Sequence, residues 1–457
     1  MLPMALILAG LALSVRDVVP QPHPPGSIED ISKLSERDDI NILFLLVDTL
    51  RADRLSGHGY SRPTSPTIDA LGDTGVRFSR HLAQSSWTKA SMASLWTGTY
   101  PIRTGILRFN DALPEAAPMP AEILRDHGME TAGIWRNGWV AANFGFAQGF
   151  GLYHKPAYGT LKAAHRRDTP TSRIAGSDQD VTASALEFLR LHGHRQWFLY
   201  LHYMDVHQYL SDESSALFGT SYSDIYDNSI HWVDRQIQIL LDGLENAGVR
   251  EKTLIVLASD HGEAFGEHQR EGHARDLYGE VTQTPFVLNF PFRLTPGIVV
   301  DVPSQNVDIW PTLFDLLGMP ALPQSDGRSL LPEILEAALG RRSDIEAATV
   351  PSSFAHLDLT WGRAEEEPRP IVATTNYPYR LIYHPGDSAR NELYDLSTDP
   401  REQENILEPN LEIARRIQLE AEAYLAMPRS DWAEEVKTVE LDDMMIGQLR
   451  AIGYAIE

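Results

Sequence analysis

Acidic and imidazole side chains gather directly behind the apolar runs of this chain. Asp48 follows Asn41-Ile42-Leu43-Phe44-Leu45-Leu46-Val47, Asp205 and His207 follow Trp197 to Tyr203, and Asp260-His261 follow Thr253 to Ala258. Carboxylates and imidazoles are hard or borderline ligands, so Asp48, Asp260 and His261 together suit a divalent cation. Such a cation lowers the pKa of a hydroxyl bound beside it and neutralises negative charge on an ester. A hydroxyl stands at Thr88, in Ser86-Trp87-Thr88-Lys89-Ala90-Ser91-Met92, where the following residues read as the opening of a helix. A helix start offers free N–H groups and a positive dipole end to an anion. A threonine there is also an ordinary helix cap, and residue type alone leaves both readings open. Asp205, His207 and His273 form a second acid-imidazole set that could hold another ion.

The elements behind these residues share one logic. The three apolar runs are continuous and β-rich, as expected of strands buried on both faces of a parallel sheet. Open α/β sheets bind ligands beyond the carboxyl ends of their strands, where these acids and imidazoles lie. Helical spacing marks residues 180–191 and 223–247, and Asp308 to Leu317 reads as a helix stopped by Gly318. Residues 346–369 read as an acidic loop. Ile371 to Thr375 and Tyr379 to His384 then predict a hairpin turning at Asn376-Tyr377-Pro378, and a charged, mostly helical tail begins at Pro409.

The 457 residues carry a formal net charge of -24, with no basic face for a nucleic-acid backbone. The absence of cysteine excludes disulfides, thiolate metal sites and cysteine nucleophiles. Residues 1–15 are almost wholly apolar, shorter than the roughly 20 residues of a membrane span. They predict an export signal or short membrane anchor, and with it a periplasmic or cell-surface location. Nothing in the sequence sets an oligomeric state.

Several segments together resemble the sulfatase family of the alkaline phosphatase superfamily. Its nucleophile pattern is Cys-x-Pro-Ser-Arg followed by Thr-Gly-Arg-x-Pro. Thr97-Gly98-Thr99-Tyr100-Pro101 matches the second half, and the spacing puts Thr88 where the family carries the cysteine that becomes formylglycine. Val47 to Asp53 resembles the opening metal motif. Tyr60 with Arg62 to Asp69 resembles the segment after it. Met204-Asp205-Val206-His207 resembles Asp-Pro-His, Ser259 to Glu263 the late metal motif, and Glu392 to Leu396 with Asp399-Pro400 and Asn405 the C-terminal signature. Departures are equally plain. Thr49 replaces the second acid of the first motif, Met92 replaces an arginine, and Ile134-Trp135-Arg136-Asn137 replaces Gly-Lys-Trp-His. With no cysteine, and no serine at position 88, the formylglycine route is closed. A threonine nucleophile and a single first-motif acid resemble nucleotide pyrophosphatases and phosphodiesterases, which tilts the reading towards phosphorus esters.

The resemblance implies a three-layer α/β sandwich with a mainly parallel central sheet and a small C-terminal sheet. The expected divisions are residues 1–38 as apolar segment and linker, 39–345 as catalytic domain and 346–457 as C-terminal subdomain. One divalent cation (Ca, Mn or Zn), on Asp48, Thr88, Asp260 and His261, is favoured over two; the second site would use Asp205, His207 and His273. Thr88 would attack an anionic phosphate or phosphonate ester, Asn137, Arg136 and Lys89 would hold its oxygens, and His207 or His273 would protonate the leaving oxygen. A sulfuric ester hydrolase, a phosphoryl transferase and a catalytically silent binding protein are the alternatives.

Overall fold

The computed structural model describes residues 23–156, 176–341, 351–363 and 365–440. The apolar residues 1–15 and the expected boundary near residue 346 lie outside them. An eight-stranded sheet runs through the larger part of the molecule. In chain order its strands are β1 (Asn41–Val47), β2 (Val76–Phe78), β3 (Glu130–Ile134), β4 (Leu152–His154), β5 (Trp197–Tyr203), β6 (Thr253–Ala258), β7 (Phe286–Asn289) and β8 (Ile298–Val300). Their order across the sheet is β8-β2-β7-β6-β1-β5-β3-β4. The contiguous set β6, β1, β5, β3 and β4 is parallel, and β7 alone runs antiparallel to its neighbours.

Strand β1 shows why the runs are apolar throughout. Successive side chains of a strand point to opposite faces. Ile42, Phe44 and Leu46 therefore join one core, while Leu43, Leu45 and Val47 join the other. The first core holds the helix Thr88–Thr97, whose ten residues are all buried. Trp96 anchors that helix, with ring centroids 5.6 Å from Phe44, 4.9 Å from Tyr200 and 5.5 Å from Trp310. The second core lies under the helices Asp178–His192 and Tyr222–Asn246, each opened by a Ser-x-x-Asp capping box. The Tyr60 to Asp69 segment is clamped onto the longer of these. Tyr60 donates to Asp227 at 2.7 Å, Arg62 reaches Asp224 and Asp227 at 2.7 Å each, and Asp234 accepts from the Thr67 and Ile68 amides. This motif builds the fold and does not touch the site described below.

A second, antiparallel sheet consists of β9 (Ser353–Asp358), β10 (Pro370–Asn376), β11 (Tyr379–Tyr383) and β12 (Glu392–Asp395), packed against the helix Leu411–Leu425. The hairpin and the tail helix lie where the sequence predicts them. Strand β9 does not: residues 346–369 read as loop, yet Ser353 to Asp358 pairs along β10 and is buried at every position. Its Ser-Phe-Ala-His-Leu-Asp sequence lacks a clear period of two, and only the partner strand and the covering helix make it a strand.

The small sheet is clasped to the large domain by charge. Buried Arg380 pairs with Glu402 at 3.1 Å and donates to the Leu277 carbonyl at 2.6 Å. Beside it, His268 stacks on Tyr278 with ring centroids 3.8 Å apart. Its Nδ1 lies 2.7 Å from Glu280 Oε1 and its Nε2 2.7 Å from the Glu402 carbonyl. Both ring nitrogens face acceptors, so the doubly protonated imidazolium fits best. Burial opposes that charge, but the Glu280 and Glu402 hydrogen bonds prevail and lift the His268 pKa from 6.5 to about 9. A folded-state pKa raised above the unfolded one stabilises fully below the lower value and loses that contribution as pH rises through the higher. The melting temperature is therefore expected to fall between pH 6.5 and 9, and His268→Gln to flatten that decline; the check is a thermal-unfolding series across this window.

Candidate active site

Four adjacent parallel strands deliver one cluster beyond their carboxyl ends. Asp48 comes directly after β1, His202 from the end of β5, Asn137 from behind β3, and Asp260 with His261 from behind β6. Asp48, Asp260 and His261 are fully buried, and one ligand atom from each lies within 4.8 Å of the others. Each carboxylate commits one oxygen to the protein. Asp48 Oδ2 accepts from Asn137 Nδ2 at 2.6 Å and lies 2.9 Å from His202 Nε2. Asp260 Oδ1 accepts from the Thr49 and His261 amides at 3.2 and 3.0 Å. The other two oxygens, Asp48 Oδ1 and Asp260 Oδ2, are buried without a hydrogen-bond partner. Buried acceptors of this kind are costly unless a cation meets them, so the donor set fits a divalent ion.

Protonation agrees with that fit. Burial and the Asp48 charge push Asp260 up to about 6, the mark of excess negative charge in a closed site. Asp48, although buried, is held below the usual carboxylate range by the His202 hydrogen bond and the surrounding imidazoles. His261 Nδ1 sits 3.0 Å from the Gly262 carbonyl, which puts its proton there and leaves Nε2 as a lone pair. That Nε2 is 3.1 Å from Thr88 Oγ1.

Thr88 is the first residue of its helix, behind Trp87 as cap, and its hydroxyl lies 3.4 Å from Asn137 Nδ2. Asn137 is fixed in turn by its Oδ1, which accepts the Trp139 amide at 2.9 Å. Thr49, a β-branched residue, adopts a left-handed φ of 59° behind Asp48. Tyr226 holds it there, donating to the Thr49 carbonyl at 2.7 Å. Strain of this sort persists only where surrounding contacts enforce it, and here it aims the Thr49 amide at Asp260.

Further imidazoles close the cluster. The His273 ring centroid lies 4.6 Å from His261 and 5.0 Å from His207. His273 Nδ1 is 3.1 Å from Glu263 Oε1; burial opposes its charge, but Glu263 raises its pKa above the ordinary value. His207 is pushed the other way by burial. His202 and Glu263 are functional neighbours that the sequence reading passed over. A signal existed for His202, a lone polar side chain closing an apolar strand just before the Asp205 turn.

Three expected roles are corrected. Arg136 does not point at Thr88: it donates to Asp178 Oδ1 at 2.8 Å, the Gly176 carbonyl at 2.8 Å and Gln208 Oε1 at 2.7 Å, and also pairs with Asp205. Asp205 is consumed there, its second oxygen accepting the Asp178 amide at 2.7 Å and Trp232 Nε1 at 2.8 Å. Asp205, His207 and His273 therefore do not assemble a second metal site, and among the described residues Asp48, Asp260 and His261 are the one grouping with ligand spacing. Lys89 turns into an aromatic box, its amine donating to the Phe109 carbonyl at 2.6 Å and lying 3.7 Å from the Phe144 ring centroid. Burial drives that amine well below its ordinary pKa. Neighbours in sequence face different ways because one helical step turns the side chain by about 100°.

Comparison with known proteins agrees with this geometry. The Sulfatase family model matches residues 40–319, and the model of the N-sulphoglucosamine sulphohydrolase C-terminal region matches residues 266–425. The chain belongs to the sulfatase family, ester hydrolases of the alkaline phosphatase superfamily. It is 24% identical over 482 residues to an ulvan-active sulfatase of Formosa agariphila, covering 95% of this chain and 88% of that one. The fold is similar to a solved 2-O GAG sulfatase, with TM-score 0.69, 18% identity, and 92% of this chain and 97% of that chain covered. It is also similar to the phosphonate monoester hydrolase of Agrobacterium radiobacter, with TM-score 0.63, 19% identity, and 85% and 95% of the two chains covered.

Three outcomes follow. Chelator-treated protein should gain melting temperature on addition of Mn2+ or Ca2+, with bound metal counted by mass spectrometry. Asp260→Asn should raise the melting temperature in chelator, by relieving repulsion with Asp48, and abolish the cation-dependent gain. Arg136→Met should cost about 3–5 kcal/mol in denaturant unfolding, because it leaves Asp178 and Asp205 buried together without their countercharge.

Proposed function

We propose that this protein hydrolyses a singly charged ester, a phosphonate monoester or phosphodiester foremost, through Thr88 as nucleophile. The observation that carries the reading is the meeting of Thr88 Oγ1, His261 Nε2 and Asn137 Nδ2 around two unpartnered carboxylate oxygens. Asp48, Asp260 and His261 would hold the cation, which when bound stabilises the Thr88 alkoxide and the charge on the ester oxygens. The Thr88 oxygen attacks the central atom in line. Asn137 donates to a non-bridging oxygen, and the amides at the start of the Thr88 helix add partial positive charge. His273, kept protonated by Glu263, passes its proton to the leaving oxygen. His207 stands beside that imidazole, its ring edge-to-face with it.

The charge of the substrate follows from what is missing near Thr88. Arg136 spends its charge on Asp178 and Asp205, and the Lys89 amine is buried in an aromatic box, so the imidazoles and the cation face the ester without an arginine or lysine from either expected position. A monoanion suits that balance better than a phosphate-monoester dianion. With no cysteine, the nucleophile is an ordinary hydroxyl; in a second in-line displacement water attacks the central atom of the covalent ester, the bond to Thr88 Oγ1 breaks, and a proton from that water restores the Thr88 hydroxyl. A sulfuric ester, also a monoanion, is the second reading; the sulfatase names of the relatives support it.

The test compares a phenylphosphonate ester, a phosphodiester, a phosphate monoester and an aryl sulfate over a panel of divalent cations. The phosphonate and diester should give the highest kcat/KM. Thr88→Ala should lower turnover on the order of a thousandfold or more while retaining the bound cation. Full turnover by that variant would sink the nucleophile assignment.

A further inference from the structure

Two side chains with polar ends stand on the face of β5 that meets the Thr88 helix, and the proposed reaction uses neither. Tyr200 and His202 are two residues apart on one strand, so they point to the same face. Both are fully buried. Parallel pairing sets Phe44 beside Tyr200 and Leu46 beside His202. Asp48 follows two residues beyond Leu46, its amide still donating to the Tyr203 carbonyl at 2.9 Å. The register of two strands thus lines up a hydroxyl, an imidazole and a carboxylate towards the carboxyl end of the sheet.

The three groups are hydrogen-bonded in that order. The Tyr200 hydroxyl lies 2.7 Å from His202 Nδ1, and His202 Nε2 lies 2.9 Å from Asp48 Oδ2. A carboxylate only accepts, so Nε2 carries a proton, and the tyrosine hydroxyl then donates to the lone pair on Nδ1. Among the described residues that hydroxyl has no other hydrogen-bond partner. Burial pushes it well above its ordinary pKa, which keeps the proton on it. Asp48 Oδ2 receives a second donor, Asn137 Nδ2 at 2.6 Å. With Oδ2 doubly engaged, Oδ1 is the oxygen left over, buried and without a hydrogen-bond partner.

The far end of this chain of bonds rests on the helix that carries Thr88. Trp96, in the last turn of Thr88–Thr97, meets the Tyr200 ring edge-on, with centroids 4.9 Å apart and planes at 90°. Phe44 and Phe150 close on the same ring at 6.3 and 6.1 Å. Packing of that density holds the ring in one place and with it the hydroxyl. One residue therefore braces the Thr88 helix through its ring and the Asp48 carboxylate through its hydroxyl. Tyr200→Phe keeps the first of these contacts and removes the second.

We propose that Tyr200 and His202 are positioning residues for the cation: their two hydrogen bonds fix Asp48 by Oδ2 and leave Oδ1 as its ligand atom. Neither residue touches the ester. They act through Asp48, in the way that outer hydrogen-bond partners fix the orientation of metal ligands. Without them Asn137 alone would steady Oδ2, and its amide also lies 3.4 Å from the Thr88 hydroxyl. The inference rests on the reading of Asp48, Asp260 and His261 as the cation site.

The test reads cation affinity apart from turnover. Mn2+ binding to the chelator-treated full chain is measured by calorimetry well below the unfolding temperature, with melting in chelator recorded alongside. Tyr200→Phe should weaken Mn2+ binding about tenfold and His202→Leu about a hundredfold. His202→Gln, whose terminal amide can still donate to Asp48 Oδ2, should recover most of the affinity lost in His202→Leu. A purely structural role would lower the melting temperature and leave affinity alone. Unchanged Mn2+ affinity in folded Tyr200→Phe or His202→Leu therefore overturns the proposal, as does His202→Gln binding no better than His202→Leu. The His202 pair decides the matter even where Tyr200→Phe does not fold. An unsubstituted chain that takes up no Mn2+, Ca2+ or Zn2+ would overturn the cation site itself, and the positioning role with it.

Discussion

Two buried carboxylates, Asp48 and Asp260, stand in one cluster with His261, and each leaves one oxygen without a hydrogen-bond donor. Around that deficit much of the molecule is arranged. Four parallel strands end together to bring the donors in, and the strained backbone at Thr49 exists to pin Asp260 from behind. The interior dielectric that makes the unpaired oxygens costly also makes them strong once a cation meets them. Stability of the empty site and affinity of the filled one therefore trade against each other.

Around this centre the fold disposes of its other buried charges. Arg136 is absorbed by Asp178 and Asp205, Arg51 by Asp53 and Glu267, and Arg380 by Glu402. Each pair satisfies its own members and leaves little field for the reacting group. The active site is thus a pool of imidazoles beside two acids, with the cationic side chains expected near Thr88 withdrawn into structural roles. That division is the ground for the proposed preference for a singly charged ester.

How much of this could be read beforehand differs from residue to residue. Asp48, Asp260 and His261 were legible because a carboxylate or imidazole immediately after an apolar strand has few structural uses, and strand edges converge in a parallel sheet. Thr88 was legible through the spacing to Thr97-Gly98 and the family pattern, not through its own chemistry. Arg136 and Lys89 were misplaced because their partners, Asp178 and the Phe109 carbonyl, are 42 and 20 residues away. Glu263 was hidden because its partner His273 is brought to it only by the turn between two short strands.

The sequence by itself determined the three apolar strands of a mainly parallel sheet, through local periodicity, and the family with its layers, through motifs in a fixed order along the chain. Tertiary structure alone decided which of two neighbouring side chains faces the centre, that Ser353 to Asp358 becomes a strand, and that Asp205 serves an arginine and not a cation. The physical reason is the same in each case. Hydrophobic pattern is a property of a segment, whereas the partner of a buried polar atom is whatever the rest of the chain carries to within 3 Å of it.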